Sequence, residues 1–352
     1  MTILVERYTY FVSLKIPEPN FVAEISANHL GSLDRALRLV ELAAESGATS
    51  VKFQTYTAQT MTLNLNSPDF KVSADHPLWG GRTLYSLYEE AYTPWEWHAE
   101  LFEKSRSLGL IPFSSPFDLT ALEFLEELNA PLYKIASLET SDLTLIKAVA
   151  ETGKPIIIST GATEYQEIEE LVATVRKTGN KDLTLLVCTS SYPADPHDAH
   201  IGRMSLLKRS FGVKVGLSDH TLGIGVSVAA LVLGATVIER HLTIQRSDGG
   251  ADAAFSLEPN EFKSLVQEGK NAVAAIGDES WKLAESETES RRLRRSLYIC
   301  QDVVAGSIVN TENVRAIRPG FGLVASKYSS VLGKRFVKDL KAGTPLTEEL
   351  FE

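Results

Sequence analysis

Two histidines close short runs that could end adjacent strands: His220 in Ser218-Asp219-His220 and His241 in Glu239-Arg240-His241. Imidazoles placed side by side in this way can converge on one divalent cation, and two nitrogens leave positions open for water and substrate oxygens. That suits Lewis-acid catalysis better than a closed structural site, and Mn2+ or Mg2+ fits so few protein nitrogens at least as well as Zn2+. Lys52 and Gln54 stand two residues apart and so face the same side of a strand, while Lys134 and Ser137 belong to another short apolar run. Two inward lysines without matched acids are costly unless something anionic lies between them. Serine hydroxyls beside ammonium groups suit phosphate and carboxylate oxygens, and Ser114, Ser115, Ser159, Thr160 and the segment from Thr189 to Tyr192 end further runs. Each residue alone has an ordinary explanation, since a strand-end serine satisfies a backbone group and a lone histidine is commonly a structural hydrogen-bonding group. Together with Glu24, Asn28 and His29 at the first run, they point to a site.

The elements that must position these groups are eight apolar runs. They are FVAEISA from Phe21, SVKFQ from Ser50, LIPFSS from Leu110, LYKIAS from Leu132, PIIIST from Pro155, LTLLVCTS from Leu183, VKVGLSD from Val213 and TVIERHL from Thr236. Stretches with helical periodicity separate them. The first puts Leu33, Ala36, Leu37, Val40 and Ala44 on one face, with Ser32 as N-cap and Gly47 at the exit. Others begin near Pro94, Asp118, Ser141, Tyr165, His200, Ile224 and Pro259. Strand–helix alternation repeated eight times predicts an α/β fold closed as a (β/α)8 TIM barrel, whose active sites lie where the strands end. The rival is an open doubly wound sheet, which usually has fewer strands and whose GxGxxG is missing after the first run.

This barrel domain is expected over 1–280, with 1–20 as an N-terminal extension. The acidic-then-basic run over 281–295 reads as a solvated linker. Residues 296–352, with short alternating runs and turn signals, read as a mostly β domain too small for a large core of its own.

Hydrophobic residues at 44% and charged residues at 23% of 352 exclude a largely disordered chain. A net charge of −10 argues against nucleic-acid and anionic-membrane partners, yet allows an anionic small ligand in a basic cleft. No apolar run approaches the ~20 residues of a membrane helix. The run YTYFVSL from Tyr8 lacks the basic lead-in and cleavage site of a signal peptide. The two cysteines, Cys188 and Cys300, suit a reducing compartment, so the expected location is cytoplasmic.

Read in order, AEISANHLGS from Ala23, VKFQTYT from Val51, FSSPFD from Phe113, YKIAS from Tyr133, PIIISTGA from Pro155, VGLSDHTLG from Val215, IERH from Ile238 and IRPGFGL from Ile317 resemble the sialic acid synthase family. The branch they resemble most is the one that makes pseudaminic acid, on TLYSLYEEAYTPWEWH from Thr83, CTSSYPA from Cys188 and GGADAAFSLEP from Gly249. The resemblance implies a TIM barrel followed by a C-terminal domain similar to type III antifreeze protein, a SAF domain. It implies a C–C bond-forming transferase in which phosphoenolpyruvate condenses with an N-acetylated sugar aldehyde, here 2,4-diacetamido-2,4,6-trideoxy-L-altrose. The C–O bond breaks and phosphate leaves. Sibling synthases that make N-acetylneuraminic or legionaminic acid from another aldose are the alternative.

By resemblance, His220 and His241 hold the divalent metal, and Glu24 aligns or deprotonates the metal-bound water. Lys52, Ser115, Lys134, Ser137, Ser159, Ser190 and Ser218 surround phosphoenolpyruvate. Asn28, Gln54, Glu139, Tyr192 and Asp252 face the sugar, and Arg318 reaches the partner's barrel in a domain-swapped homodimer. The chain departs from the family pattern at Leu30, where an asparagine is usual, and at Ser190, where the sialic branch has asparagine. The loop from Thr55 to Pro94 departs too, and its Tyr85, Tyr88, Trp95 and Trp97 suit either helix packing or a wall for an apolar-ended sugar. Two other classes compete: a Schiff-base aldolase with Lys134 as nucleophile, and a carbohydrate- or ice-binding protein that uses the barrel as a scaffold.

Overall fold

Each apolar run forms one strand of a closed parallel barrel. The strands are β1 (Asn20–Glu24), β2 (Ser50–Thr55), β3 (Ile111–Pro116), β4 (Tyr133–Ile135), β5 (Ile156–Ser159), β6 (Leu183–Cys188), β7 (Lys214–Ser218) and β8 (Val237–His241). They follow one another in chain order until β8 pairs back onto β1. The structure is a computed structural model describing residues 18–76, 78–278 and 280–352. Most of the extension expected over 1–20, including the run from Tyr8, therefore lies outside the described residues.

Helices fill the connections: α1 (Leu33–Glu45), α2 (Ala58–Met61), α3 (Leu84–Ala91), α4 (His98–Ser107), α5 (Leu119–Glu127), α6 (Leu143–Glu151), α7 (Tyr165–Lys177), α8 (Arg203–Phe211), α9 (Gly225–Val232) and α10 (Pro259–Ile276). Ser32 caps α1 as expected, its hydroxyl accepting from the Arg35 amide at 3.3 Å. The buried face of α1 differs from the expected stripe: Ala36, Leu39, Val40 and Ala43 are buried, while Leu33, Leu37 and Ala44 flank them half-buried. The interface is wide enough to use both edges of the stripe, so its centre falls one position along from where the apolar count alone puts it. None of the described helices is long and apolar enough to cross a membrane.

Strand alternation sorts the barrel residues into two sets. Phe21, Ala23, Val51, Phe53, Ile156, Ile158, Val215 and Leu217 join the large core shared with the surrounding helices. Val22, Phe113, Ile157, Leu186 and Val237 form a separate apolar cluster inside the barrel. Gly216 lets this inner layer close, because a Cβ there would lie 2.3 Å from the Val237 carbonyl oxygen and 2.7 Å from Leu186 Cδ2. Two residues further along the same five strands stand Glu24, Ser115, Ser159, Cys188 and Glu239. One pleat converts an apolar floor into a polar chamber.

The chain divides after Gly277. In the second unit β9 (Ser296–Ile299) pairs antiparallel with β10 (Val314–Ile317) over a small core that includes Leu297, Ile299, Val314, Phe336 and Leu346. The charged stretch over 281–295 carries α11 (Thr288–Arg292). The carbonyl of Arg292 accepts from the Gly320 amide at 2.9 Å and its guanidinium sits 5.7 Å from the Phe321 ring centre, which ties this stretch into the second unit.

Candidate active site

At the centre of the chamber is one carboxylate oxygen. Glu239 Oε1 accepts from Ser218 Oγ at 2.9 Å and lies 3.8 Å from Lys134 Nζ and 3.9 Å from Lys52 Nζ. Lys52 also forms an ion pair with Glu24. All four charged side chains are at least nine-tenths buried. The lysines therefore do have matched acids, contrary to the sequence expectation, and the one overlooked is Glu239. Its signal was its place two residues before His241, which gives both the same inward parity on β8.

Burial pushes the Glu24 carboxyl up, and the attraction of Lys52 offsets this only in part, so it settles at about 7. Burial also presses Glu239 upward, but Lys134 and Lys52 reverse the effect and hold it below the usual carboxylate range. Lys52, despite burial, is held above its ordinary value by Glu239 and Glu24, whereas burial wins at Lys134 and lowers it. When Glu24 is protonated, two ammonium groups face a single carboxylate, and the chamber favours an anion.

Hydroxyls surround this charge. Ser137 Oγ accepts from the Gly161 amide at 3.0 Å, and a Cβ on Gly161 would lie 2.4 Å from Ser190 Oγ and 2.9 Å from Ser137 Oγ. Only glycine lets the backbone come so close to the two serines. The buried hydroxyls of Ser115, Ser159 and Ser190 have no hydrogen-bond partner among the described residues. Buried polar groups are rarely left unpaired, so these three suit the oxygens of a ligand.

His220 and His241 face each other with ring centres 5.3 Å apart. His220 Nδ1 donates to the Thr189 carbonyl at 3.0 Å. His241 Nδ1 lies 3.0 Å from Ser26 Oγ and 4.0 Å from Asp252 Oδ2. Both Nδ1 atoms are thus engaged, and neither Nε2 has a hydrogen-bond partner among the described residues. Burial, then the neighbouring His220, hold His241 well below its ordinary value, so the ring is neutral and its lone pair is available. Among the described residues no group of three or more His, Cys, Asp or Glu side chains is placed to hold a metal. Two oriented imidazoles fit an open divalent site and not a closed one. The Phe255 ring, not among the expected site residues, has its centre 5.7 Å from that of His220 and 4.9 Å from that of His241.

The residues between these histidines and their strands turn outward. Asp219 and Arg240 pair at 2.6 Å, and Asp219 also accepts from the Thr221 amide and hydroxyl and from Ser227, so both serve the fold.

Above the chamber opens a cavity of about 440 Å³. Of the residues singled out from sequence, Lys52, Gln54, Lys134, Ser137, Glu139, Ser159, Tyr192, Ser218, His220, His241 and Asp252 line it. Glu24 and Ser115 are buried off its wall, and Ser190 sits beside Gly161. Asn28 is also off the wall, its amide donating to the Leu242 carbonyl and Ser256 Oγ. Arg318 lies exposed in the second unit, just past β10. Of Tyr85, Tyr88, Trp95 and Trp97 only Tyr88 lines the cavity, whereas Tyr56 and Trp79 of the same connection, not singled out from the sequence, line it too. Tyr85 accepts from Gln59, Trp95 stacks on Phe124 and Trp97 packs edge-on to His29.

A model of the NeuB family matches residues 39–281, and a SAF domain model matches 294–352. The chain belongs to the NeuB family. Pseudaminic acid synthase of Helicobacter pylori is 44% identical over 95% of this chain and 98% of that protein. N,N'-diacetyllegionaminic acid synthase of Campylobacter jejuni is 36% identical over 91% of this chain and 96% of its own length. Among solved structures, N-acetylneuraminic acid synthetase of Leptospira borgpetersenii in complex with citrate superposes with a TM-score of 0.69. It is 29% identical, and the match covers 79% of this chain and 94% of that one. The NeuB match thus takes in the barrel from α1 onward, β2 to β8, and the SAF match takes in most of the C-terminal unit.

Proposed function

We propose that this NeuB-family chain is a pseudaminic acid synthase, condensing phosphoenolpyruvate with 2,4-diacetamido-2,4,6-trideoxy-L-altrose and water to give pseudaminic acid and phosphate. The observation that carries the acceptor is the 44% identity to a pseudaminic acid synthase over nearly the full length of both chains, against 36% for a legionaminic acid synthase. The chamber supports the chemistry. Phosphoenolpyruvate brings a carboxylate and a phosphate to Lys52 and Lys134, and the unpartnered hydroxyls of Ser115, Ser159 and Ser190 supply donors, with Ser137 and Ser218 beside them.

The enol carbon of phosphoenolpyruvate attacks the aldehyde carbon, and water adds to the carbon that bore the phosphate. The C–O bond then breaks and phosphate departs with the bridging oxygen. Glu24, poised at about 7, takes one proton of the attacking water. That proton then becomes the hydroxyl proton of the former aldehyde oxygen, and the other leaves with phosphate as the carbonyl forms. Fixed lysines hold one face of the enol toward the acceptor, so much of the acceleration comes from positioning. His220 and His241 would hold a divalent cation, Mn2+ or Mg2+, which when bound supplies a Lewis acid for the acceptor aldehyde. Gln54, Glu139, Tyr192 and Asp252 line the cavity where the sugar lies. The working form is a cytoplasmic domain-swapped homodimer in which Arg318 of one chain meets the acceptor in the other.

The test offers the purified enzyme phosphoenolpyruvate with each candidate aldose in turn, read by phosphate release and by mass spectrometry and NMR of the product. Turnover with the altrose-derived acceptor is expected, and 18O in the bridging position should appear in phosphate. Turnover with N-acetylmannosamine alone would overturn the acceptor, and label left in the sugar would overturn the C–O cleavage.

A further inference from the structure

The cavity has two chemically distinct sides. Its base is ionic and hydroxylic, whereas Met61, Val72, Trp79, Leu84, Leu87 and Tyr88 all reach it from the connection between β2 and α4. Trp79 fastens this apolar side down. Its Nε1 donates to the Ala251 carbonyl at 3.0 Å, next to Asp252, and its ring centre lies 5.8 Å from that of Tyr192. His76 stacks on the indole at 4.6 Å with a 10° angle between the rings. Gly80, just after Trp79, lets the backbone close against this pair, since a Cβ there would fall 2.5 Å from the Ala74 carbonyl oxygen and 2.8 Å from that of His76. An apolar wall opposite a charged floor offers nothing to a phosphate or a carboxylate. It suits a sugar that carries methyl groups.

We propose that Trp79 is a specificity-determining residue that contacts the C6 methyl end of the acceptor and sets the preference for a 6-deoxy sugar over its 6-hydroxy counterpart. This rests on the acceptor assigned above. A hydroxyl forced against the face of the Trp79 indole and the aliphatic side chains beside it, Met61, Val72, Leu84 and Leu87, loses its water and gains no partner from them. Apolar pockets discriminate against an added hydroxyl by up to about 100-fold.

The experiment measures kcat/KM for 2,4-diacetamido-2,4,6-trideoxy-L-altrose and for its 6-hydroxy analogue, at saturating phosphoenolpyruvate, in wild type, Trp79→Ala, Trp79→Phe and the isosteric Val72→Thr. Wild type should favour the deoxy sugar by on the order of 10-fold or more. Trp79→Ala should bring the ratio near one through a higher acceptor KM, with KM for phosphoenolpyruvate unchanged. Trp79→Phe should keep part of the preference, and Val72→Thr, which keeps the side-chain shape but puts a hydroxyl in place of a methyl, should narrow it. Unchanged ratios in Val72→Thr and in a folded Trp79→Ala would overturn the role of Trp79 while leaving the acceptor intact. A wild type that turns over neither diacetamido sugar would overturn the acceptor, and the wall assignment with it, in a pattern no Trp79 result can imitate.

Discussion

Glu239 Oε1 is shared by a hydroxyl and two ammonium groups, and removing it leaves both lysines buried without a common partner. Breaking one side of a buried ionic cluster costs ~3–5 kcal/mol, so Glu239→Ala should lower the unfolding free energy by about that much in urea titrations. In the proposed mechanism Glu24 governs the acid limb. Its folded-state value, about 7, lies above the ordinary 4.5, so it is protonated at pH 6 and cannot take a proton from water. Activity should therefore rise with pH through about 7, and Glu24→Gln should flatten that limb as well as lower kcat. The same raised value stabilises the fold below about 4.5, and that contribution is lost as pH climbs through about 7. At the histidines, EDTA should abolish turnover, Mn2+ or Mg2+ should restore it, and His220→Ala should cut the metal content measured by elemental analysis. Lys134, lowered by burial, has the character of a Schiff-base amine, yet borohydride with pyruvate should trap no adduct.

Among the elements, the strands were legible because parallel strands covered on both sides read as continuous apolar runs. Their polar ends were legible for the same reason, since a lysine or glutamate within such a run has nowhere to go but inward. Parity, applied to β8, would also have paired Glu239 with His241. What could not be read was the connection from β2 to α4. Val72 and Trp79 lie there outside any helix or strand, so no periodicity marks the side they present, while Tyr85, Trp95 and Trp97 attracted attention only by being aromatic. Asn28 shows how a short polar side chain beside a strand end divides its roles: its amide nitrogen holds the Leu242 carbonyl, while its buried side-chain oxygen has no partner among the described residues. The packing of β7 gives a direct test. Gly216→Ala drives a methyl into the Val237 carbonyl and Leu186, and should destabilise by ~1–3 kcal/mol, visible as a lower Tm with the metal content unchanged.

For the molecule as a whole, the proposed domain-swapped dimer has the SAF unit contribute Arg318 to the other chain's site, and a site shared in that way has a sharp signature. Arg318→Ala and His220→Ala chains should each turn over poorly, yet after subunit exchange the mixture should regain activity, because one composite site then holds both side chains. No gain would place Arg318 outside the partner's chemistry. Access follows from the inner cluster of Val22, Phe113, Ile157, Leu186 and Val237. These five stopper one end of the barrel, so the ionic layer lies at the foot of a cul-de-sac. Whatever binds to the lysines must enter before the bulkier sugar and can depart only after it. For the proposed reaction this predicts traffic that is first in, last out: the small anion should load ahead of the aldose, and phosphate, as the last passenger to leave, should compete directly with the incoming enol ester in product-inhibition kinetics.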